Sequence, residues 1–151
     1  MIRPVLTYGC EAWTIRKKDQ DRLHVFENKV LRKITGPVST PDGWRRRTNE
    51  ELRTVTRQTN ILDFINTLRL RWAGHVARME SSELPLLAMA DPGRGRRPLG
   101  RPRQRWGDNI RRTTRLREPW REVAQDRDRW RRIITDCVEA RNRRPTRAPR
   151  S

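Results

Sequence analysis

The 151-residue chain carries 36 Lys and Arg against 18 Asp and Glu, a formal net charge of +18, and 32 of the 36 cations are arginine. A chain of this size holds one domain, or one domain with an attached segment, which excludes an elaborate multidomain assembly, and a cationic surplus this large points to phosphate as partner. Leu, Ile, Val and Phe supply about a fifth of the residues, near the level at which highly charged chains fail to build a core, and the longest apolar run, Leu86 to Ala90, is far too short to span a membrane. The start has no secretory pattern, since Thr7 already breaks the apolar residues after Pro4, so an intracellular protein is expected, inside the nucleus or outside it. Cys10 and Cys137 lack the paired spacing of a zinc site and the density of a disulfide framework, and are expected to be free thiols.

In chain order, Val5, Tyr8, Trp13 and Ile15 around Gly9 fit either a short strand near the N-terminus or an irregular connection. From Asp19, the residues Leu23, Phe26, Val30, Leu31 and Ile34 recur at helical spacing, with acids early and lysines late, and Gly36-Pro37 stops the helix. A turn-rich connection runs through Pro41, Asp42 and Gly43, after which Thr48 and Glu51 form a capping-box pair that opens a short helix to about Arg57. Asn60 caps the next helix, whose Ile61, Ile65, Leu68, Trp72, Val76 and Met79 step along one face. Between Glu80 and Arg105, Pro85, Pro92, Pro98 and Pro102 interleave with Gly93, Gly95, Gly100 and six arginines, a composition expected to forbid a helix and form an extended linker. Beyond it, Trp106, Ile110, Thr113 and Leu116 predict a short amphipathic helix. Trp130, Ile133, Ile134, Cys137 and Val138 predict a second, starting from about Pro119 or Asp126, and the Arg/Pro tail from Arg141 is expected to be disordered. The expected fold class is mainly α: two small helical segments, residues 1–80 and 106–140, joined by the basic linker 81–105 and followed by the tail 141–151.

The charge is uneven. Residues 1–93 hold 16 basic and 11 acidic side chains, whereas residues 94–151 hold 20 and 7, so the C-terminal part carries +13 of the +18. The candidate nucleic-acid-binding residues are Arg94, Arg96, Arg97, Arg101, Arg103, Arg105 and Trp106. Glycine allows close backbone approach there, proline keeps the strand extended, and guanidinium groups pair bidentately with phosphate or enter a narrow minor groove. Gly100-Arg101-Pro102 equals the core of an AT-hook, but Leu99 stands where that motif has arginine. Five of the six tryptophans, Trp44, Trp72, Trp106, Trp120 and Trp130, adjoin an arginine, an arrangement suited to base stacking. Helix-spaced Trp72 and Trp130 are expected to anchor a core instead, and Trp106 fits either role. Catalytic residues are not expected. Asp19 with Asp21 and Asp126 with Asp128 sit at helix starts, where acids cap, and His24 and His75 lie on separate helices without a metal partner one turn away, so no metal and no cofactor is implied.

Three stretches resemble the C-terminal region of reverse transcriptases encoded by non-LTR retrotransposons. These are Tyr8-Gly9-Cys10-Glu11-Ala12-Trp13-Thr14, similar to the end of the polymerase thumb; Leu70-Arg71-Trp72-Ala73-Gly74-His75-Val76-Ala77-Arg78-Met79; and Gly100-Arg101-Pro102-Arg103-Gln104-Arg105-Trp106 with Asp108, followed by Trp120, Ala124 and Asp126-Arg127-Asp128-Arg129-Trp130-Arg131. The resemblance covers Pro4 to about Ala140. Such proteins join an endonuclease to a reverse transcriptase, and this chain resembles only the region beyond the polymerase palm. The adjacent catalytic aspartates have no counterpart, since no two Asp residues are neighbours, and no Cys/His zinc knuckle is present. The resemblance implies a truncated copy or a gene-model fragment, with Met1 as an internal start.

The leading expectation is a non-catalytic remnant that binds RNA, an RNA–DNA hybrid or DNA through phosphate contacts from the linker and the C-terminal helices, with no membrane and no small-molecule substrate among its partners. The alternatives are an accessory thumb or template-grip part working beside a full-length reverse transcriptase copy, a small AT-hook-like DNA-binding protein, an interaction protein that meets an acidic partner, and a degenerate frame with no selected role.

Overall fold

Short helical turns open the chain. In the structure, a computed structural model that describes residues 3–90 and 105–142, α1 is Arg3–Leu6 and a 3-10 turn lies at Cys10–Ala12. The short strand offered for this stretch does not form; Gly9 adopts a left-handed conformation, φ 67°, which breaks the extended run. Helix α2, Lys17–Thr35, starts where the backbone N–H of Arg16 donates to Asp19 Oδ2 at 3.1 Å and ends at Gly36, φ 68°. The turn-rich connection proves to be a hairpin: β1 (Val38–Thr40) pairs antiparallel with β2 (Gly43–Arg45), setting Ser39 opposite Trp44. Pro41-Asp42 supplies the two-residue link, and the Thr40 hydroxyl donates to the Gly43 carbonyl at 2.7 Å.

The capping box opens α3, Asn49–Thr56: Glu51 N–H donates to Thr48 Oγ1 at 3.2 Å while Thr48 N–H donates to Glu51 Oε2 at 2.8 Å. Asn60 caps α4, Ile61–Ala77, accepting from Leu62 N–H at 2.8 Å. The linker expectation needs one correction, because Leu84–Ala90 forms a helix, α5. Its only proline, Pro85, lies in the first turn, where a missing N–H leaves no bond unmade, and nothing breaks Leu86 to Ala90. Residues 91–104 of the linker lie outside the described residues. Helix α6 is Trp106–Thr114, and the final predicted helix divides into α7 (Trp120–Val123) and α8 (Arg127–Asn142). The division falls where Asp126 turns its carboxylate onto Asp128 and Arg129 N–H, at 2.9 and 3.0 Å. Arg141 and Asn142, expected in the tail, are helical; residues 143–151 lie outside the described residues. The fold is mainly α with one small hairpin.

The described residues fall into two compact units, 3–6 with 15–64, and 7–14 with 65–90 and 105–142, and the chain passes from one to the other inside α4. In the first unit α2 packs on α3, and Leu52 and Ile61 are buried. Glu27 pairs with Arg3 at 2.5 Å and accepts Ile61 N–H at 3.1 Å, while Arg3 also reaches the Thr59 carbonyl and the face of Phe64. No residue of α2 is fully buried. Its Phe26, Val30, Leu31 and Ile34, with Ile61 and Phe64, line a cavity of about 550 Å³.

The second unit has the denser core: Leu70, Ala73 and Ala77 of α4, Ile110 of α6, Trp120 and Val123 of α7, Ala124, and Trp130 and Ile134 of α8. Trp130 is 2% exposed, and its indole N–H donates to the Leu70 carbonyl at 2.8 Å, so burying the ring leaves no polar atom unpaired. Gly74 makes that approach feasible, since a methyl group built there would collide with the indole Cδ1 and Nε1. Gln125 donates to the Ala77 carbonyl and Arg78 to the Ala124 carbonyl, both at 2.6 Å. Trp106 meets Trp120 edge-on, with centroids 6.0 Å apart, and its N–H donates to the Glu11 carbonyl at 2.6 Å. The described parts of the three stretches that carry the retrotransposon resemblance thus meet in this one unit.

Candidate nucleic-acid interface

Arg94, Arg96, Arg97, Arg101 and Arg103 lie outside the described residues. Arg105 is exposed at the start of α6, where its backbone N–H donates to Asp108 Oδ2 at 3.2 Å. Trp106 is half-buried with its N–H bonded and its ring on Trp120, so of the two roles weighed for it, packing is what the ring performs.

Residues 106–142 supply the cations of the C-terminal helices, to which phosphate contacts were assigned without naming the residues. The apolar positions of α6 and α8 face the core, which leaves Arg111, Arg112, Arg127 and Arg132 exposed; Arg115 and Arg117 are exposed in the loop after α6, and among the described residues none of the six has a carboxylate within ion-pair distance. Arg129 and Arg131 differ, bonded to Glu118 at 3.0 Å and Asp128 at 3.2 Å. At the end of α4, burial and then the nearby charges of Arg127 and Arg131 hold the Arg78 guanidinium below its usual pKa. Like charges are therefore gathered where α8 begins, and an incoming anion would relieve their repulsion. Helical spacing around Ile110 and Trp130 was the signal that could have located this face in advance.

The tryptophans separate by burial. Trp120 and Trp130 are buried and Trp72 is half-buried beside His75, with centroids 5.4 Å apart, whereas Trp44 on β2 is 74% exposed. Of the four acids expected to cap, Asp19 and Asp126 accept backbone N–H groups, whereas Asp21 and Asp128 pair with Lys17 at 2.7 Å and Arg131 at 3.2 Å; bonds from Arg129 N–H and Asp128 N–H keep the Asp126 carboxyl below its usual range. Cys10 is buried and Cys137 half-buried, and neither forms a disulfide; burial, then Glu11, pushes the Cys10 thiol up. Among the described residues, no three His, Cys, Asp or Glu side chains gather closely enough to hold a metal ion, and no helix is long and apolar enough to cross a membrane.

No family model and no solved structure matches the chain. It is similar, at 31% identity over 142 residues, to a Caenorhabditis elegans protein described as transposon-derived. The match covers 89% of this chain and 51% of that protein, so the chain spans about half the length of the curated relative it matches. That likeness supports a transposable-element origin for the chain.

Proposed function

We propose that the chain is a non-catalytic nucleic-acid-binding remnant of a retrotransposon reverse transcriptase, gripping phosphates with the arginines of residues 94–106 and with the exposed arginines of α6, α8 and the loop between α6 and α7. The observation that carries this reading is the set of six exposed arginines that, among the described residues, have no carboxylate within ion-pair distance, in a segment of net +13. The meeting of the described parts of the three reverse-transcriptase-like stretches in one packed unit supports the parentage. A salt titration of RNA and duplex DNA binding tests it. If six phosphates are neutralised, a fourfold rise in salt weakens duplex binding by about a thousandfold and single-strand binding by a few hundredfold. Affinity that scarcely responds to salt overturns the reading.

The relative's greater length favours a second reading, in which this segment is the grip of a larger polymerase whose palm lies elsewhere. Primer extension by the isolated chain decides whether it is itself catalytic: none is expected, and any extension refutes the non-catalytic assignment.

A further inference from the structure

Trp44 is the exposed member of the Arg-flanked tryptophans, and the hairpin explains how it stays exposed. Strand alternation puts Val38 and Thr40 on the half-buried face and Ser39 and Trp44 on the open one. The residue directly across from the indole is Ser39, too small to cover a ring. The frame beneath it is braced. Arg45 forks onto Glu51 with bonds of 2.5 and 3.0 Å, Arg47 donates to the Gly36 carbonyl at 3.1 Å, and Arg32 donates to the Arg47 carbonyl and to Asn49 Oδ1 at 3.1 and 2.5 Å. Arg46 is left exposed with no carboxylate partner among the described residues, close enough to Arg32 for the two charges to repel. An exposed aromatic ring on a braced hairpin, two residues before an exposed guanidinium, is complementary to an unpaired base joined to its phosphate.

We infer that the hairpin Val38–Arg45 is a single-strand contact site, on which Trp44 stacks an unpaired base and Arg46 takes the adjoining phosphate. The inference rests on the nucleic-acid reading above and adds a second contact point, remote in sequence from the Arg-rich stretch. Duplex DNA gains little from it, because its bases are already stacked and their faces covered.

The test compares, on the full chain at fixed salt, a short oligothymidylate with a strand of equal length whose nucleotides are abasic, which keeps the phosphates and removes the rings. The wild-type chain is expected to prefer the thymidylate by at least about fivefold. Trp44→Ala should abolish that preference, Trp44→Phe should keep most of it, and duplex affinity should be unchanged in both. Arg46→Ala should lower the log–log salt slope for single strands by about 0.7. Equal wild-type affinity for the two strands overturns the stacking site while leaving phosphate binding intact. Absence of any salt-dependent binding removes the nucleic-acid reading itself, and this site with it. If Trp44→Ala preserves strand discrimination but reduces self-association or binding to anionic vesicles, the hairpin serves a protein or lipid surface and the inference fails. The abasic comparison needs only the wild-type chain, so it decides the matter even if a variant folds poorly.

Discussion

At the scale of single residues, Gly74 shows how magnitudes fix a sign. Replacing a helix-interior glycine with alanine gains about 1 kcal/mol of helix propensity. At Gly74 the new methyl would displace the Trp130 indole, and overpacking of this kind costs about 1–3 kcal/mol, with about 1 kcal/mol more if the bond from the indole N–H to the Leu70 carbonyl is lost. Gly74→Ala is therefore expected to lower the denaturant midpoint with an unchanged m-value; a rise would mean that the indole is not seated against α4. The sequence offered part of this. Helical spacing and size marked Trp130 as core, but the space its ring requires on another helix depends on a contact far away along the chain, which no local pattern encodes. Trp106 was ambiguous for the same reason, since its packing partner, Trp120, and its hydrogen-bond acceptor, the Glu11 carbonyl, are both remote from the linker it adjoins.

At the scale of elements, caps and stops were legible because they are local: Gly36, the Thr48–Glu51 pair and Asn60 each act within a few residues of themselves. The hairpin was not, since three-residue strands carry too little alternation to separate them from a turn. Glu51 links the two kinds of element, capping α3 while holding Arg45 of β2. The Arg45 guanidinium, and after it the Thr48 N–H, bring the Glu51 carboxyl down to about 2. A carboxyl depressed on folding contributes stability above its unfolded value, near 4.5, and loses that contribution as the pH falls toward about 2. Glu51→Gln should accordingly lower the thermal midpoint at neutral pH, with the gap to wild type closing between about pH 4.5 and 2; a constant gap would show that the charge of Glu51 is irrelevant. His24 pushes in the same direction at milder acidity. Burial, ahead of its neighbouring charges, holds its pKa below the usual 6.5, so the stability it permits is complete above 6.5 and declines as the pH falls below it.

At the scale of the molecule, the net charge of +18 and the proposed ligand act on stability in opposite senses as salt is varied. Folding brings the cations closer together than in the unfolded chain, and the self-repulsion is widest at low ionic strength, where the screening length is about 30 Å at 0.01 M against about 10 Å at 0.1 M. Added salt should therefore raise the thermal midpoint of the free chain. RNA supplied at low salt should raise it too, by neutralising the same charges and by mass action, which at a hundredfold excess over Kd contributes about 2.7 kcal/mol. Once RNA is bound, however, more salt displaces it, so its advantage must shrink while the free chain gains. The two curves of midpoint against salt should start well apart and converge from opposite sides. Parallel curves would mean that RNA stabilises the chain by something other than phosphate contacts, and a free chain that loses stability with salt would mean that its ion pairs, such as Arg3 with Glu27 and Arg45 with Glu51, outweigh the repulsion among its arginines.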